Sequence, residues 1–518
     1  MKCDSVDLPS RSYFSYQIAR NHSAIFNFET LSLEQIKPFQ EHSFLIRQDP
    51  VLNKLKTYLQ SLGASPASLQ NAERLRNPQS LVVCTGQQCG FFTGPLLTIY
   101  KTITAIQLAQ KLEQQLNVPV IPLFWNPSED HDFPEINHLY LPETLEKYTF
   151  SRPFSRSPVE SISIDNSLLH WGEQFWKKLP QNEFTSLLQE QTLPALGSSV
   201  SAWFSSILLK LFAEEGLVVV EPYLFRQESA PVFLQAAQKL SVLEESLRIN
   251  ATEIQQQGFS PLLTIEKETP LFFLLDHFER IKGKKDSNGF HFNDTHFTSD
   301  QFEELLQSGK ISASANVALR PILQNFLFPA FVYVAGPSEG SYWFEIFPLF
   351  SQFQCPPSLL YPRFSATLME PKIQKKLEKL SISVLEVLQG KQPAPSESQE
   401  KMDLFFSQTQ QAITQQFQNL QSFCVSIDPT LPVKKTEEQF QQSLETLKRK
   451  VDQRLQELHG QGQTQWKQIQ NQLYPQETLQ ERKLNVFPFL NKYGPLWFKE
   501  LKQTLTLKNG NRHHLISW

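Results

Sequence analysis

The sequence predicts an α/β protein, a doubly wound parallel sheet carrying connecting insertions, followed by a C-terminal α-helical coiled coil. Three observations predict it. Short runs rich in Val, Ile and Leu, bounded by Gly or Pro, alternate with segments of helical spacing early in the chain. Two stretches, near 141–200 and 240–315, break that rhythm and read as insertions. Beyond the linker GKQPAPSESQ at 390–399 the chain turns rich in Gln, Glu and Lys, with apolar residues at steps of four and three.

In chain order, LVVCTG at 81–86 reads as a strand buried on both faces. A Gly-rich loop follows it, and residues 95–116 carry helical spacing, with Pro95 in a first-turn position. VPVIPLFW at 118–125 is the next strand, so the crossover should be right-handed and the strands parallel. A helix over 199–214 leads to a strand in GLVVVEP, 216–222, and FVYVAGP at 331–337 supplies another. Ligands on such sheets bind beyond the C-terminal strand ends. Further on, a helix over about 401–424 is expected to pair as an antiparallel hairpin with the seam Phe440, Leu444, Leu447, Val451, Leu455 and Leu458. A projecting coiled coil is favoured over two amphipathic helices lying on the core. LNVFPFLNKYGPLWF is apolar and aromatic again and should return to the body. The expected domains are therefore 1–389, 390–478 and 479–518, the last packing on the first.

Composition narrows the function. Residues number 518, with 48 basic against 52 acidic side chains, so no overall basic footprint marks a nucleic-acid binder. Five scattered cysteines, Cys3, Cys84, Cys89, Cys355 and Cys424, argue against a disulfide framework. Neither a signal-peptide run nor a stretch of about 20 apolar residues is present, and a cytoplasmic setting is expected. The excess of Phe (41) over Met (3) points to a stiff aromatic interior.

Three segments carry candidate chemistry. TGQQCGFFTGP, 85–95, joins the first strand to its helix; its glycines allow close backbone approach, and N–H groups at the helix start favour an anion. Thr85, Gly86, Gln87, Gln88, Thr93 and Gly94 are its substrate-binding candidates, with a tight structural turn as the even alternative. The loop is neither a P-loop nor a dinucleotide fingerprint, which disfavours an oxidoreductase. SEDHDFPEINH, 128–138, crowds Glu129, Asp130, His131 and Asp132 at a strand end, where His131 or a neighbouring carboxylate is the candidate general base. Helix capping is the bland reading of that cluster. Metal binding is not expected, because consecutive residues point to opposite sides and Cys84 and Cys89 lack further ligands. In SANVALRPILQ and VAGPSEGSYWFE, Asn316, Arg320, Gly336, Glu339 and Tyr342 lie beside a strand end. Arg320 suits a carboxylate or phosphate, or else a buried ion pair, and Glu339 suits a substrate ammonium. The basic insert IKGKKD, 281–286, suits phosphate contact or plain solvation.

Together and in this order the segments resemble the cysteine-adding enzymes of bacillithiol biosynthesis. TGQQCGFFTGPLLTIYKTITA (85–105), PLFWNPSEDHDFPEINH (122–138) and ANVALRPILQNFLFPAFVYVAGPSEGSYW (315–343) carry the resemblance, extended by PRFSATL (362–368) and QERKLNVFPFLNKYG (480–494). Cys89, Asn325, Ser338 and Glu221 depart from the family pattern, standing for a small residue, an acidic residue, Gly and Asp. The resemblance implies a Rossmann-like core similar to class I nucleotidylyltransferases and a coiled coil that mediates a homodimer. It also implies a ligase for small-molecule substrates, in which the amine of glucosaminyl-malate attacks the activated carboxyl of cysteine. Activation makes ATP with Mg2+ the expected co-reactant, although no nucleotide signature stands in the sequence. A nucleotidylyltransferase-like enzyme for another small amine or acid is the alternative, and an inactive coiled-coil scaffold ranks behind it.

Overall fold

In the computed structural model the described residues are 1–8, 12–142, 147–151, 156–276, 279–391, 398–428, 430–507 and 512–518. The chain divides into two compact units, Met1–Leu368 with Gln480–Trp518, and Met369–Leu479.

Five parallel strands form the centre of the first unit: β1 (Leu81–Gly86), β2 (Val120–Trp125), β3 (Val218–Val220), β4 (Ala330–Ala335) and β5 (Leu359–Pro362). Their spatial order is β5-β4-β1-β2-β3. The chain runs outward from β1 through β2 to β3, then returns to the other side of β1. A topological switch point therefore lies between the C-terminal ends of β1 and β4, the place where such sheets bind ligands. All residues of β1, β2, β3 and β4 are buried, which explains their unbroken apolar runs.

Helices cover both faces. Leu96–Leu116 crosses from β1 to β2, Val200–Leu211 precedes β3, Arg320–Leu327 precedes β4 and Pro337–Gln352 follows it. Pro95 sits one residue before the first of these, as its cap, rather than inside its first turn. Helices Asp49–Ser61 and Pro66–Arg74 lead into β1. Within 240–315, helix Leu240–Gln256 is followed by five antiparallel strands, ordered Thr295–Phe297, Phe290–Phe292, Glu279–Lys285, Phe272–Asp276, Ser312–Ala315. Phe272, Phe290, Phe292 and Phe302 stack beneath them. The returning C-terminal segment buries Phe487, Leu490, Trp497, Phe498 and Leu501 in the core of the first unit.

In the second unit, Ser398–Val425 and Val433–Leu473 form an antiparallel pair: Lys448 meets Asp403, Gln441 meets Thr414 and Phe440 meets Phe417. Of the expected seam, Leu444, Val451 and Leu455 are partly covered, but Phe440 and Leu447 stay exposed. The Leu458 side chain lies outside the described residues, as do 392–397 of the linker. Short helices Pro371–Lys379 and Val384–Leu388 pack Ile373, Leu377 and Val387 against Ile469 and Leu473 of the long helix. These contacts give the unit its own small core, which begins ahead of the linker.

Candidate active site

At the switch point a cavity of about 930 Å³ opens, and it gathers the three motifs. From the end of β1 come Gly86, Gln87 and Gln88; from the loop after β2 come Glu129, Asp130 and His131; around β4 stand Asn316, Arg320, Gly336, Glu339 and Tyr342. Thr85, Thr93, Gly94 and Asp132 do not line it. Thr85 is fully buried and its hydroxyl donates to the Val334 carbonyl at 3.0 Å, tying β1 to β4. Asp132 is exposed and stands at the cap position of a one-turn helix, Phe133–Ile136.

The second half of the glycine loop builds the core. Phe91 and Phe92 insert among Trp171, Phe175, Trp203 and Phe487. Gly94 has φ +65, and a Cβ at Gly90 would lie 2.8 Å from the Gly94 Cα, so both glycines are needed for the turn itself. Asn485 clamps it by donating to the carbonyls of Phe92 and Gly94 at 2.7 and 2.6 Å. At the helix start the Leu96 N–H donates to the Leu484 carbonyl at 2.8 Å, so that group is not left for an anion.

On one wall, Arg280 organises the acidic cluster. Its Nη1 lies 3.2 Å from Asp130 Oδ1 and 3.1 Å from His131 Nδ1, while Nε and Nη2 donate to Ser314 Oγ and the Ala315 carbonyl. Asp130 also accepts from Gln88 and from the His131 N–H. Burial, and then the Arg280 charge, hold the His131 pKa below its ordinary value, so the ring is neutral near pH 7. With Nδ1 accepting from a guanidinium, the neutral ring carries its proton on Nε2. In that tautomer His131 presents an Nε2–H donor, while its Nδ1 lone pair is engaged by Arg280. Glu129 turns from the solvent into a buried pair with Arg226, which also holds Glu160. That bridge fixes the loop from behind, where Val159 and Glu160 N–H groups donate to the Asp130 and Ser128 carbonyls.

The opposite wall centres on Glu339. It accepts from Lys101 and from the Tyr333 hydroxyl at 2.5 Å, with Arg320 Nη2 at 3.8 Å. Lys101 also donates to the Gly86 carbonyl at 2.6 Å and to Gln87 Oε1 at 3.0 Å, so all three of its protons are used. Its neighbour Lys101 keeps Glu339 ionised, its pKa below the usual carboxylate range despite burial. Glu339 thus already faces Lys101 and Arg320, and a substrate ammonium would share it with them. Arg320 donates to the Tyr342 hydroxyl at 2.6 Å and faces the cavity, so ion pairing and exposure to a ligand coexist. Asn316 lines the cavity while its Oδ1 accepts from the Ala318 and Leu319 N–H groups, shaping the turn that aims Arg320.

Lys101, Arg156, Arg280, Arg363, Tyr333 and Arg482 also reach the cavity and were not singled out by spacing. Lys101 had a signal, being the one charged side chain between Leu96 and Gln110 of its helix. Lys282 of the basic insert lines the cavity as well, paired with Glu266 at 2.6 Å. Two departures from the expected pattern are structural: Asn325 is buried against Ser358 and the Pro356 carbonyl, and Cys89 is buried, whereas Ser338 borders the cavity. Among the described residues no group of three or more His, Cys, Asp or Glu side chains converges as metal ligands.

Comparison with known proteins follows the same division of the chain. Residues 1–364 match the bacillithiol biosynthesis BshC N-terminal Rossmann-like domain, and 366–518 match the BshC C-terminal coiled-coil domain. The chain belongs to the BshC family. Its relatives include proteins named "Putative cysteine ligase BshC" from Anoxybacillus flavithermus (30% identical, 88% of each chain covered) and Geobacillus kaustophilus (31%, 89% of each). A Bacillus cereus protein of the same name is 29% identical over 93% of each chain. The cavity of this BshC-family chain is lined at the strand ends by residues of the Rossmann-like part, with Arg482 added from the segment that matches the second domain. Among the described residues no helix is long and apolar enough to cross a membrane.

Proposed function

We propose that this chain is a cysteine ligase that joins the carboxyl of cysteine to the amine of glucosaminyl-malate, completing bacillithiol. One observation carries the reading: a single cavity holds a neutral imidazole donor on one wall and fork-shaped guanidinium groups on the other. The malate part brings two carboxylates, for which Arg320 and the neighbouring Arg363 and Arg482 are matched donors. Amide formation passes through a tetrahedral intermediate whose oxyanion needs pre-aimed donors. His131 Nε2–H supplies one, and Gln87 supplies another, because its Oε1 is engaged by Lys101 and its amide protons are left to give.

A free carboxylate does not acylate an amine, so the cysteine carboxyl arrives activated. ATP with Mg2+ is the proposed activator, and the cavity's cations suit a phosphate-bearing species. In the joining step the amine nitrogen forms the C–N bond as the C–O bond to the phosphate leaving group breaks, and the proton it loses passes to the expelled phosphate. Mass spectrometry of the purified chain with cysteine and glucosaminyl-malate, with and without Mg-ATP, tests both parts. Amide product formed only with ATP, together with AMP or ADP, is expected. Product without ATP overturns the activation scheme alone, and absence of product with every nucleotide overturns the ligase reading. We further propose a homodimer through the second unit, where Leu404, Phe405, Phe423 and Phe440 leave an apolar stripe exposed.

A further inference from the structure

One wall of the cavity is neither helix nor strand. Between helix Leu240–Gln256 and the strand at Phe272, residues 257–271 run without regular structure, and Leu262, Leu263, Ile265 and Leu271 line the cavity. An irregular segment of this length inside a compact unit is usually functional. Its ends are tied: the Phe259 ring packs on Tyr13 and Tyr16, and the Glu268 and Leu271 carbonyls accept from Lys285 and Asn316. The Thr269 N–H adds a bond to Glu244 Oε1 at 3.2 Å, and between Phe259 and Glu268, among the described residues, the backbone is fastened at one place, where the Leu262 and Leu263 N–H groups donate to the two carboxylate oxygens of Glu345 at 2.7 and 2.9 Å.

Glu345 is 3% exposed and, among the described residues, meets no cation. Burial without a counter-charge raises its pKa, and the Leu262 and Leu263 N–H groups work against that rise by favouring the charged form of Glu345. It sits on helix Pro337–Gln352, whose first turns carry Glu339 and Tyr342 into the cavity. The fastening therefore registers the apolar wall to the helix that shapes the reacting site. Leu262, 53% exposed, presents an apolar surface that a bound substrate would cover.

We propose that Glu345 is a positioning residue that holds 257–271 as a water-excluding wall over the acyl-transfer site. The inference rests on the ligase reading. An activated cysteine carboxyl, an anhydride with a phosphate group supplied by a nucleoside triphosphate, has two fates. Attack by the amine nitrogen breaks the C–O bond and yields the amide and the phosphate leaving group. Attack by water breaks the same bond and yields free cysteine and the same leaving group. A wall that keeps water out favours the first.

Hydrogen exchange of the full chain with glucosaminyl-malate, and the ratio of nucleotide consumed to amide formed, test this in wild type, Glu345→Gln and Leu262→Ser. A glutamine offers one carbonyl oxygen for two N–H groups, so E345Q should exchange faster at 258–266 and waste at least three times more nucleotide per amide. L262S keeps the fastening, so it should raise the wasted fraction without faster exchange in the free protein. Ligand binding should slow exchange at 258–266 in wild type. Binding without such protection, or faster exchange in E345Q with an unchanged nucleotide-to-amide ratio, overturns the inference. Failure of glucosaminyl-malate to bind wild type overturns the ligase reading and this inference with it.

Discussion

At the scale of single residues, two buried charges decide how the cavity works. Arg280 holds Asp130 and the Nδ1 of His131, and its removal leaves both without their shared partner. Arg280→Gln is expected to lower kcat at least tenfold, which corresponds to about 1.4 kcal/mol of barrier. The pH profile gives a separate check. Burial and Arg280 depress the His131 pKa, so the Arg280–Nδ1 hydrogen bond that orients the ring should hold through neutrality, and activity should fall only where acid protonates Nδ1 and breaks it, below the ordinary histidine value near 6.5. Taking away the guanidinium removes one cause of the depression, so in R280Q the acid limb should move to higher pH. Lys101→Met leaves Glu339 buried without its nearest cation and should cost about 3–5 kcal/mol in urea unfolding, as breaking buried pairs does. Arg320 and His131 were legible because they stand in strand-end motifs. Arg280 was not, because the register of the antiparallel strands that carries it to His131 leaves no mark in local spacing.

Among elements, the glycine loop shows what sequence pattern conveys and what it leaves out. The alternation of buried strand, loop and helix was readable, and β1, β2 and β4 fall within a residue or two of the apolar runs that announce them. The pattern did not divide the loop, since glycines and threonines occur on both sides of Cys89. Packing divides it: Gln87 and Gln88 reach the cavity, whereas Phe91 and Phe92 anchor the remainder in the aromatic core. Gly94 combines φ +65 with ψ −149, a region open to glycine alone. Gly94→Ala should therefore destabilise the protein by about 1–3 kcal/mol. Thermal unfolding should show the loss, while the KM for glucosaminyl-malate in the surviving folded fraction stays unchanged.

Over the whole molecule, the strand order β5-β4-β1-β2-β3 puts distant motifs side by side, because the return of the chain past β1 creates the switch point. The coiled coil was legible as an apolar seam, but a seam does not say what covers it. Phe405 and Phe423 remain 65% and 64% exposed, so wild type is expected as the proposed dimer and the double variant Phe405→Glu with Phe423→Glu as a monomer by mass photometry. The central claim is that the cavity at the switch point forms the amide, with His131 as a donor to the developing oxyanion. The most direct measurement is the rate of amide formation by folded His131→Ala beside wild type, with glucosaminyl-malate binding measured on the same samples. A loss of about 100-fold in rate with binding within a few-fold of wild type is predicted, in line with the loss of one oxyanion donor. Wild-type turnover in His131→Ala would contradict the account and place the chemistry elsewhere.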